Sequence, residues 1–493
     1  MGLNALDIAV IVVYLAAVTA FGMRFKKRQT LKSYFLAEQT IPWWAISLSI
    51  VAAETSTLTI ISVPGIAFDK DFRFLQLVFG YLVGRVIICL LLIPHYFRGD
   101  LVTAYQLIER RFGQRLRSLT AGLFLITRAA AEGVRVFAVA IVVGIALTPV
   151  LSGFSDFGRD VAAIAIVTIL TLIYTFKGGM SAVIWTDVIQ LSVYLTGTVV
   201  GFFTILHLVP GGWHTVYNVA SEAHKFRVFD FQWNFWATYT FWSGVIGGAF
   251  LTTASHGTDQ LIVQRLLSSR NERQAKLALL ASGIVVLAQF SLFLLIGAML
   301  FAFYKLFPPA VAFTRTDTIF PAFVVTRMPH GISGLLISAI LAAAMSNLSA
   351  ALYSLSSTTV IDFYSRIAPQ SSERHRMFVS RLSTVSWGVV LFLLAIIARR
   401  GGKVLEVGLS IASVSYGALL GVFLLGVLTR KASERGVMVA MLSGFVLNLY
   451  LWLFTKVPFT WYVALGSLTV FAIGYVASIA LPEAVATKFE NAD

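Results

Sequence analysis

Six charged side chains stand inside long apolar runs of this chain: Glu54, Arg85, Arg128, Glu132, Arg135 and Asp187. A charge at the centre of a bilayer costs about 2.5–3.5 kcal/mol on insertion scales, so each needs a partner or a task. Arg128, Glu132 and Arg135 are spaced i, i+4, i+7 and share one helix face. Two readings stay open. The three form a ladder that neutralises itself, or one arginine, Arg135 first, is left over to hold an anionic solute group. Arg85 is expected to snorkel or to pair with Glu132. The run SIVAAETSTLTIISVPG crowds Glu54, Thr55, Ser56, Thr57 and Thr59 into the middle of a hydrophobic segment, ahead of Pro64–Gly65. Hydroxyls bonded back onto their own helix are one account, which explains two of them better than four beside a glutamate. An unwound helix centre is the other: its freed carbonyls bind cations at the bilayer midplane. A second run, ISAILAAAMSNLSAALYSLSSTTVID, places Ala343, Ser346, Asn347 and Ser349 on adjoining faces. That is a small-residue packing face or a second group of oxygen ligands for a hard cation. Asp187 lies about two turns into its segment, where a lone carboxylate is a cation ligand or a proton carrier.

The elements that must position these residues follow from composition. Of 493 residues, 58% are hydrophobic and only 12% charged, with mean hydropathy +0.83. Soluble domains carry about twice that charge. Runs of about 20 apolar residues fit helices that cross a bilayer, so the chain reads as an all-α polytopic membrane protein. No polar stretch is long enough for a soluble domain. Cys89 is the one cysteine and the seven histidines are scattered, so neither a disulfide framework nor a metal enzyme is expected. The net charge of +15 is loop charge that orients a membrane protein, not a nucleic-acid surface. The first apolar run is followed, not preceded, by its basic residues, unlike a signal peptide. About thirteen spans are expected, near 5–23, 42–68, 73–97, 118–150, 160–176, 181–208, 232–264, 277–304, 331–360, 380–398, 404–429, 437–455 and 460–481. Lys and Arg favour the loops after odd-numbered spans, which predicts the N-terminus outside and the C-terminus in the cytoplasm. The stretches near 209–231 and 305–330 are expected to form small outer lids. Gly178–Gly179 is expected to form a tight inside turn. Trp242, Gly244, Gly247 and Gly248 are candidate hinge and gate residues, or ordinary packing.

Four blocks of the chain resemble the sodium/solute symporter family of sodium/proline, sodium/galactose, pantothenate and sodium/sialic acid carriers. They are YFLAEQTIPWWAISLSIVAAETS with its following VPG (34–65), YTFKGGMSAVIWTDVIQ (174–190), HGTDQLIVQRLLSS (256–269) and ISAILAAAMSNLSAALYS (337–354), in family order and spacing. The resemblance implies a LeuT-type fold of five-plus-five inverted repeats. Residues 42–208 would be the first repeat and 209–429 the second. The first helix and its loop (1–41) and the last two helices and tail (430–493) would be peripheral. It implies sodium on the carbonyls of Ala52, Thr55 and Ala343 and the side chains of Ser346 and Asn347, where the family usually has Ser or Thr instead of asparagine. A possible second sodium maps to Asp187, Ser346 and Ser349, with Ala350 in place of a hydroxyl. Substrate contacts map to Glu54, Ser56, Leu58, Thr59, Val78 with nearby Gln76, Thr252 and Ser255. An arginine that binds carboxylate maps to Arg135, with Glu132 and Arg128 beside it. Leu58 and Val78 replace polar sugar contacts, which argues against a plain hexose.

The expected function is sodium-coupled import of a small polar organic solute (a sugar acid, carboxylate, amino acid or similar) by alternating access. Sodium is the coupling ion and no other cofactor is expected. The protein is not expected to be an enzyme or to bind nucleic acid. It is expected to sit among the lipids of a bacterial inner membrane and to act as a monomer. The rivals are a proton-coupled carrier of the same fold, a solute sensor that does not transport, and a channel, for which no symmetric pore rings are visible.

Overall fold

A computed structural model describes residues 3–24, 37–98, 101, 103–146, 153–175, 180–309, 312–399 and 404–481. Gly178–Gly179, the start of the 34–65 block and the C-terminal tail lie outside them. Each of the thirteen expected segments carries helix. In chain order the main helices are α1 (Ala5–Met23), α2 (Trp43–Glu54), α3 (Thr57–Asp69), α4 (Leu75–Leu91), α5 (Tyr105–Arg111), α6 (Gln114–Ala146), α7 (Asp156–Thr175), α8 (Met180–Leu208) and α9 (Gly212–Glu222). They continue as α10 (Phe241–Gly257), α11 (Gln260–Leu267), α12 (Glu272–Leu306), α13 (Ile319–Arg327), α14 (Ile332–Thr358), α15 (Glu373–Ala398), α16 (Val404–Leu428), α17 (Glu434–Phe454) and α18 (Tyr462–Ala480). Among the described residues, 8 helices are long and apolar enough to cross a membrane, or 9 with the bent pair α2–α3 as one span. The count of thirteen is therefore not reproduced by length and composition alone.

Two of the segments are broken. The α2–α3 pair bends by 64° between Glu54 and Thr57. The segment after the 209–240 stretch breaks at Thr258–Asp259, where Asp259 Oδ1 accepts the Leu261 amide (2.9 Å) and starts α11. The packing is reciprocal. One helix of each broken segment lies on the second helix of the other half, α3 (with α2) on α12 and α10 on α4. Likewise α6 packs on α15 and α16, and α14 packs on α7 and α8. The outer stretches hold α9 and α13, and α1 leans on α14.

The glycines of the 232–264 segment form a packing seam with α4. A Cβ on Gly80 would stand 2.6 Å from the Gly244 carbonyl oxygen, and one on Gly84 would stand 2.6 Å from the Ala249 oxygen and 2.9 Å from Thr252 Cβ. Helices approach this closely only where side chains are missing. Gly84→Ala is expected to lower stability by about 1–3 kcal/mol, because backbone on the facing helix cannot step aside. Thermal unfolding of the purified variant in detergent checks this; an unchanged midpoint would mean that the seam opens freely.

Candidate functional site

Of the two readings that the sequence leaves open for the 42–68 segment, the structure has the unwound centre. Thr55 (φ −83°, ψ 81°) and Ser56 (φ −78°, ψ 171°) leave the helix. The Ser56 amide donates to the Glu54 oxygen (3.1 Å) and the Thr59 amide to the Ser56 oxygen (2.9 Å). The carbonyls of Ala52 and Thr55 thereby lose the i+4 amides that an unbroken helix would bring. The break faces α14: Thr57 Oγ1 lies 3.5 Å from the Ile340 oxygen, and Ala343 and Asn347 of α14 are buried. The donor chemistry on both sides, carbonyl and amide oxygens with no net charge, fits a hard monovalent cation. The Ser346 side chain lies outside the described residues.

A narrow cleft of ≈ 10 Å³, room for about one water, lies beside this break. Its walls are Ser56 and Thr57, then Glu132, Arg135, Val136 and Val139 of α6, Val167 of α7, and Ala344, Asn347 and Leu348 of α14. Of the expected substrate residues, Ser56, Glu132 and Arg135 are thus brought together. The others are placed elsewhere. Gln76 is fully buried, donates to the Arg73 and Tyr239 oxygens (both 3.2 Å) and accepts the Asp230 amide (3.0 Å), so its amide pins the outer stretch. Thr252 is pressed against Gly84, and Thr59 is buried outside the cleft wall.

Among the described residues, three ionic clusters hold the six charges singled out in the sequence. In the first, Glu54 pairs with Arg85, and His256 Nε2 lies 3.2 Å from Glu54 Oε2. Arg85 also donates from Nε to Ser282 Oγ (3.2 Å) and from Nη1 to the Tyr81 oxygen (3.3 Å), while Ser255 Oγ lies 2.8 Å from His256 Nδ1. The expectation that Arg85 snorkels or meets Glu132 is corrected: it is fully buried between α2, α4, α10 and α12, with Glu54 as its counter-ion. Glu54 and Ser255 belong to this cluster and not to the cleft wall.

In the second, Arg265 Nη2 lies 3.1 Å from Asp187 Oδ2, which also accepts from Ser49 Oγ (2.6 Å). Asp187 is therefore not a lone carboxylate. Ser349 is buried nearby in sequence to Asn347 on α14. The third runs along α6. Glu132 Oε1 lies 2.9 Å from Arg135 Nη1 and 2.6 Å from Arg128 Nη2. Arg128 Nη1 reaches Asp259 Oδ2 at 3.1 Å, and Tyr416 Oη donates to the same oxygen (2.8 Å). The α6 ladder is real, but it extends to the second broken segment and to α16. Sequence reasoning missed Arg265, His256 and Tyr416 as partners. Arg265 had a signal, a guanidinium inside the apolar QLIVQRLL helix.

Comparison with known proteins bears on what such a fold does. The sodium:solute symporter family matches residues 34–444. The chain belongs to that family. This symporter is 30% identical to a sodium/sialic acid symporter of Proteus mirabilis over 96% of its own length and 95% of the relative's. It is 28% identical to sodium-coupled monocarboxylate transporter 1 of Xenopus laevis over 86% of the chain and 67% of that relative. A solved sodium-coupled sialic acid symporter, substrate-bound and outward-open, superimposes with a TM-score of 0.84 at 29% identity, covering 97% of this chain and 98% of the other. A nucleobase–cation symport transporter at 14% identity shares the fold, with a TM-score of 0.57. The symporter is an integral membrane protein and a secondary transporter, not an enzyme. Its relatives couple to sodium and move small polar solutes.

Proposed function

We propose that this symporter couples sodium entry to the uptake of a small organic solute that carries an anionic group. The observation that supports this most is one cleft with two chemistries. The freed carbonyls of the α2–α3 break lie beside it, and Arg135, with 25% of its side chain exposed, lines it next to apolar walls. Sodium is held by the carbonyls of Ala52, Thr55 and Ala343 with Ser346 and Asn347, and the solute's anionic group by Arg135. Carboxylates, sugar acids and amino acids all fit that description. The Arg265 counter-ion beside Asp187 supports one sodium per cycle. Residues 42–208 and 209–429 act as the inverted repeats, a reading supported by their reciprocal packing, with 1–41 and 430–493 peripheral.

Sodium binding fixes α14 against the break and shapes the cleft, so ion and solute each strengthen the other's binding by linkage. Rocking of the repeats then opens the site to the other side. A zwitterion moving with one sodium carries one net charge and gains about 2.3 kcal/mol per 100 mV. A monoanion moving with one sodium is driven by the concentration gradients alone. The protein sits in a bacterial inner membrane with the N-terminus outside and acts as a monomer.

A thermal-shift screen of carboxylates, sugar acids and amino acids, with sodium or with choline at one pH, tests the reading. A bound solute is expected to raise the melting point more in sodium. Equal shifts, followed by equal uptake into proteoliposomes in the two salts, would reject sodium coupling.

A further inference from the structure

The α2–α3 break meets α14 on one side, where Thr57 lies 3.5 Å from the Ile340 oxygen. A second polar contact grips it from α12. Gln289 Nε2 donates to Thr55 Oγ1 at 2.6 Å, across 234 positions of the chain. Thr55 and Tyr194 are fully buried, and Gln289 is 2% exposed. Tyr194 of α8 has its hydroxyl beside both of these side chains. Among the described residues, nothing else offers a partner to Tyr194 Oη or to Gln289 Oε1. On α12 the Gln289 amide stands among the buried side chains of Val286, Phe290 and Phe293, where a polar group left unpaired is costly. Thr55 is also unlike other buried threonines of these helices. Thr120, Thr168 and Thr253 bond back to the carbonyl four residues earlier (2.7–2.8 Å), the common fate of a helical hydroxyl. Thr55 accepts from another helix instead, at the residue where the helix stops (φ −83°, ψ 81°).

We infer that Gln289 and Tyr194 are positioning residues of the sodium site, which hold the break unwound through a ring of hydrogen bonds with Thr55. The ring runs from Gln289 Nε2 to Thr55 Oγ1, from Thr55 Oγ1 to Tyr194 Oη and from Tyr194 Oη back to Gln289 Oε1. Each side chain donates once and accepts once, within the capacity of a primary amide and of two hydroxyls. This rests on the reading that sodium sits on the carbonyls of Ala52 and Thr55. Anchoring the Thr55 side chain on α12 and α8 fixes the backbone that carries its carbonyl, so the ion meets a site already formed. Rewinding of the segment would swing Thr55 away and strand the Gln289 amide among apolar side chains. Without the ring, the unwound form is only a fraction of the molecules, and the apparent sodium affinity falls by that fraction.

The test follows the melting point of purified full-length protein as sodium chloride replaces choline chloride at constant ionic strength. Wild type is expected to melt higher as sodium rises, with a measurable half-saturation. Gln289→Leu is expected to raise that half-saturation about tenfold or more. Its melting point in choline should stay at or above wild type, because leucine suits the apolar surroundings and Thr55 can bond back onto its own helix. A contact that only holds helices together would do the reverse: the melting point in choline would fall and the half-saturation would stay. That result overturns the inference. Thr55→Val is expected to raise the half-saturation as much as Gln289→Leu, and the double variant no further than either, since the two side chains act as one unit. Shifts that multiply in the double variant overturn the ring. Tyr194→Phe is expected to raise the half-saturation severalfold, and it decides the matter if Gln289→Leu does not fold. Wild-type half-saturation in Gln289→Leu, or in Tyr194→Phe where that variant decides, overturns the positioning role and leaves the sodium reading standing. If the wild-type melting point does not respond to sodium at all, the sodium reading falls and takes this inference with it.

Discussion

Arg135→Gln is expected to cut uptake by about 30-fold to several thousand-fold while the protein stays folded. Removing one partner of a desolvated charged pair costs about 2–5 kcal/mol of binding, and about 1.4 kcal/mol is tenfold. The fold survives because Glu132 keeps Arg128 at 2.6 Å when Arg135 is gone. Arg135 is also the most exposed member of its cluster. The melting point and its response to sodium should therefore stay near wild type. The double variant Glu132→Gln/Arg135→Gln decides between the two roles that the spacing on α6 leaves open. If it takes up solute as wild type does, Arg135 serves only to neutralise Glu132, and an anionic solute group has no receptor in the cleft.

Arg128→Gln is expected to act in the opposite way, on stability first. It leaves Asp259, 2% exposed, with the Tyr416 hydroxyl and the Leu261 amide but no counter-ion. Breaking a buried pair from one side costs about 3–5 kcal/mol. The double variant Arg128→Gln/Asp259→Asn removes one charge of each sign and leaves Arg135 to balance Glu132, so most of the loss should return. Uptake should stay impaired in the double variant, because Asp259 ties the broken α10–α11 segment to α6 and α16. Melting points of the three proteins and their uptake in proteoliposomes give the answer. A single variant as stable as wild type would show that water reaches Asp259 and that the tie is weak.

Residue types and spacing along the chain are enough to say which segments are helical, that the 42–68 segment either unwinds or folds its hydroxyls back on itself, and that α6 carries a charged face. Those features are local. Apolar runs set the helices, hydroxyls beside Glu54 mark the polar centre of that segment, and i, i+4 spacing places Arg128 against Glu132 whatever the helix packs on. The four motif blocks added the family, which matches residues 34–444. Tertiary structure alone decided the partners of the remaining charges. Arg85 meets Glu54 across 31 positions, Arg265 meets Asp187 across 78, and Arg128 meets Asp259 across 131. Each pairing joins different helices, and no spacing rule reaches between helices. It depends on which faces are brought together by close packing such as the glycine seam between α4 and α10, and by the two breaks. Desolvation then requires every charge so enclosed to find an opposite one within reach. For the same reason, Glu54, Gln76 and Ser255, which are polar and suitably placed along the chain, are held in structural contacts. Ser56, Glu132, Arg135 and Asn347 are the polar side chains that the packing leaves facing the cleft, together with Thr57.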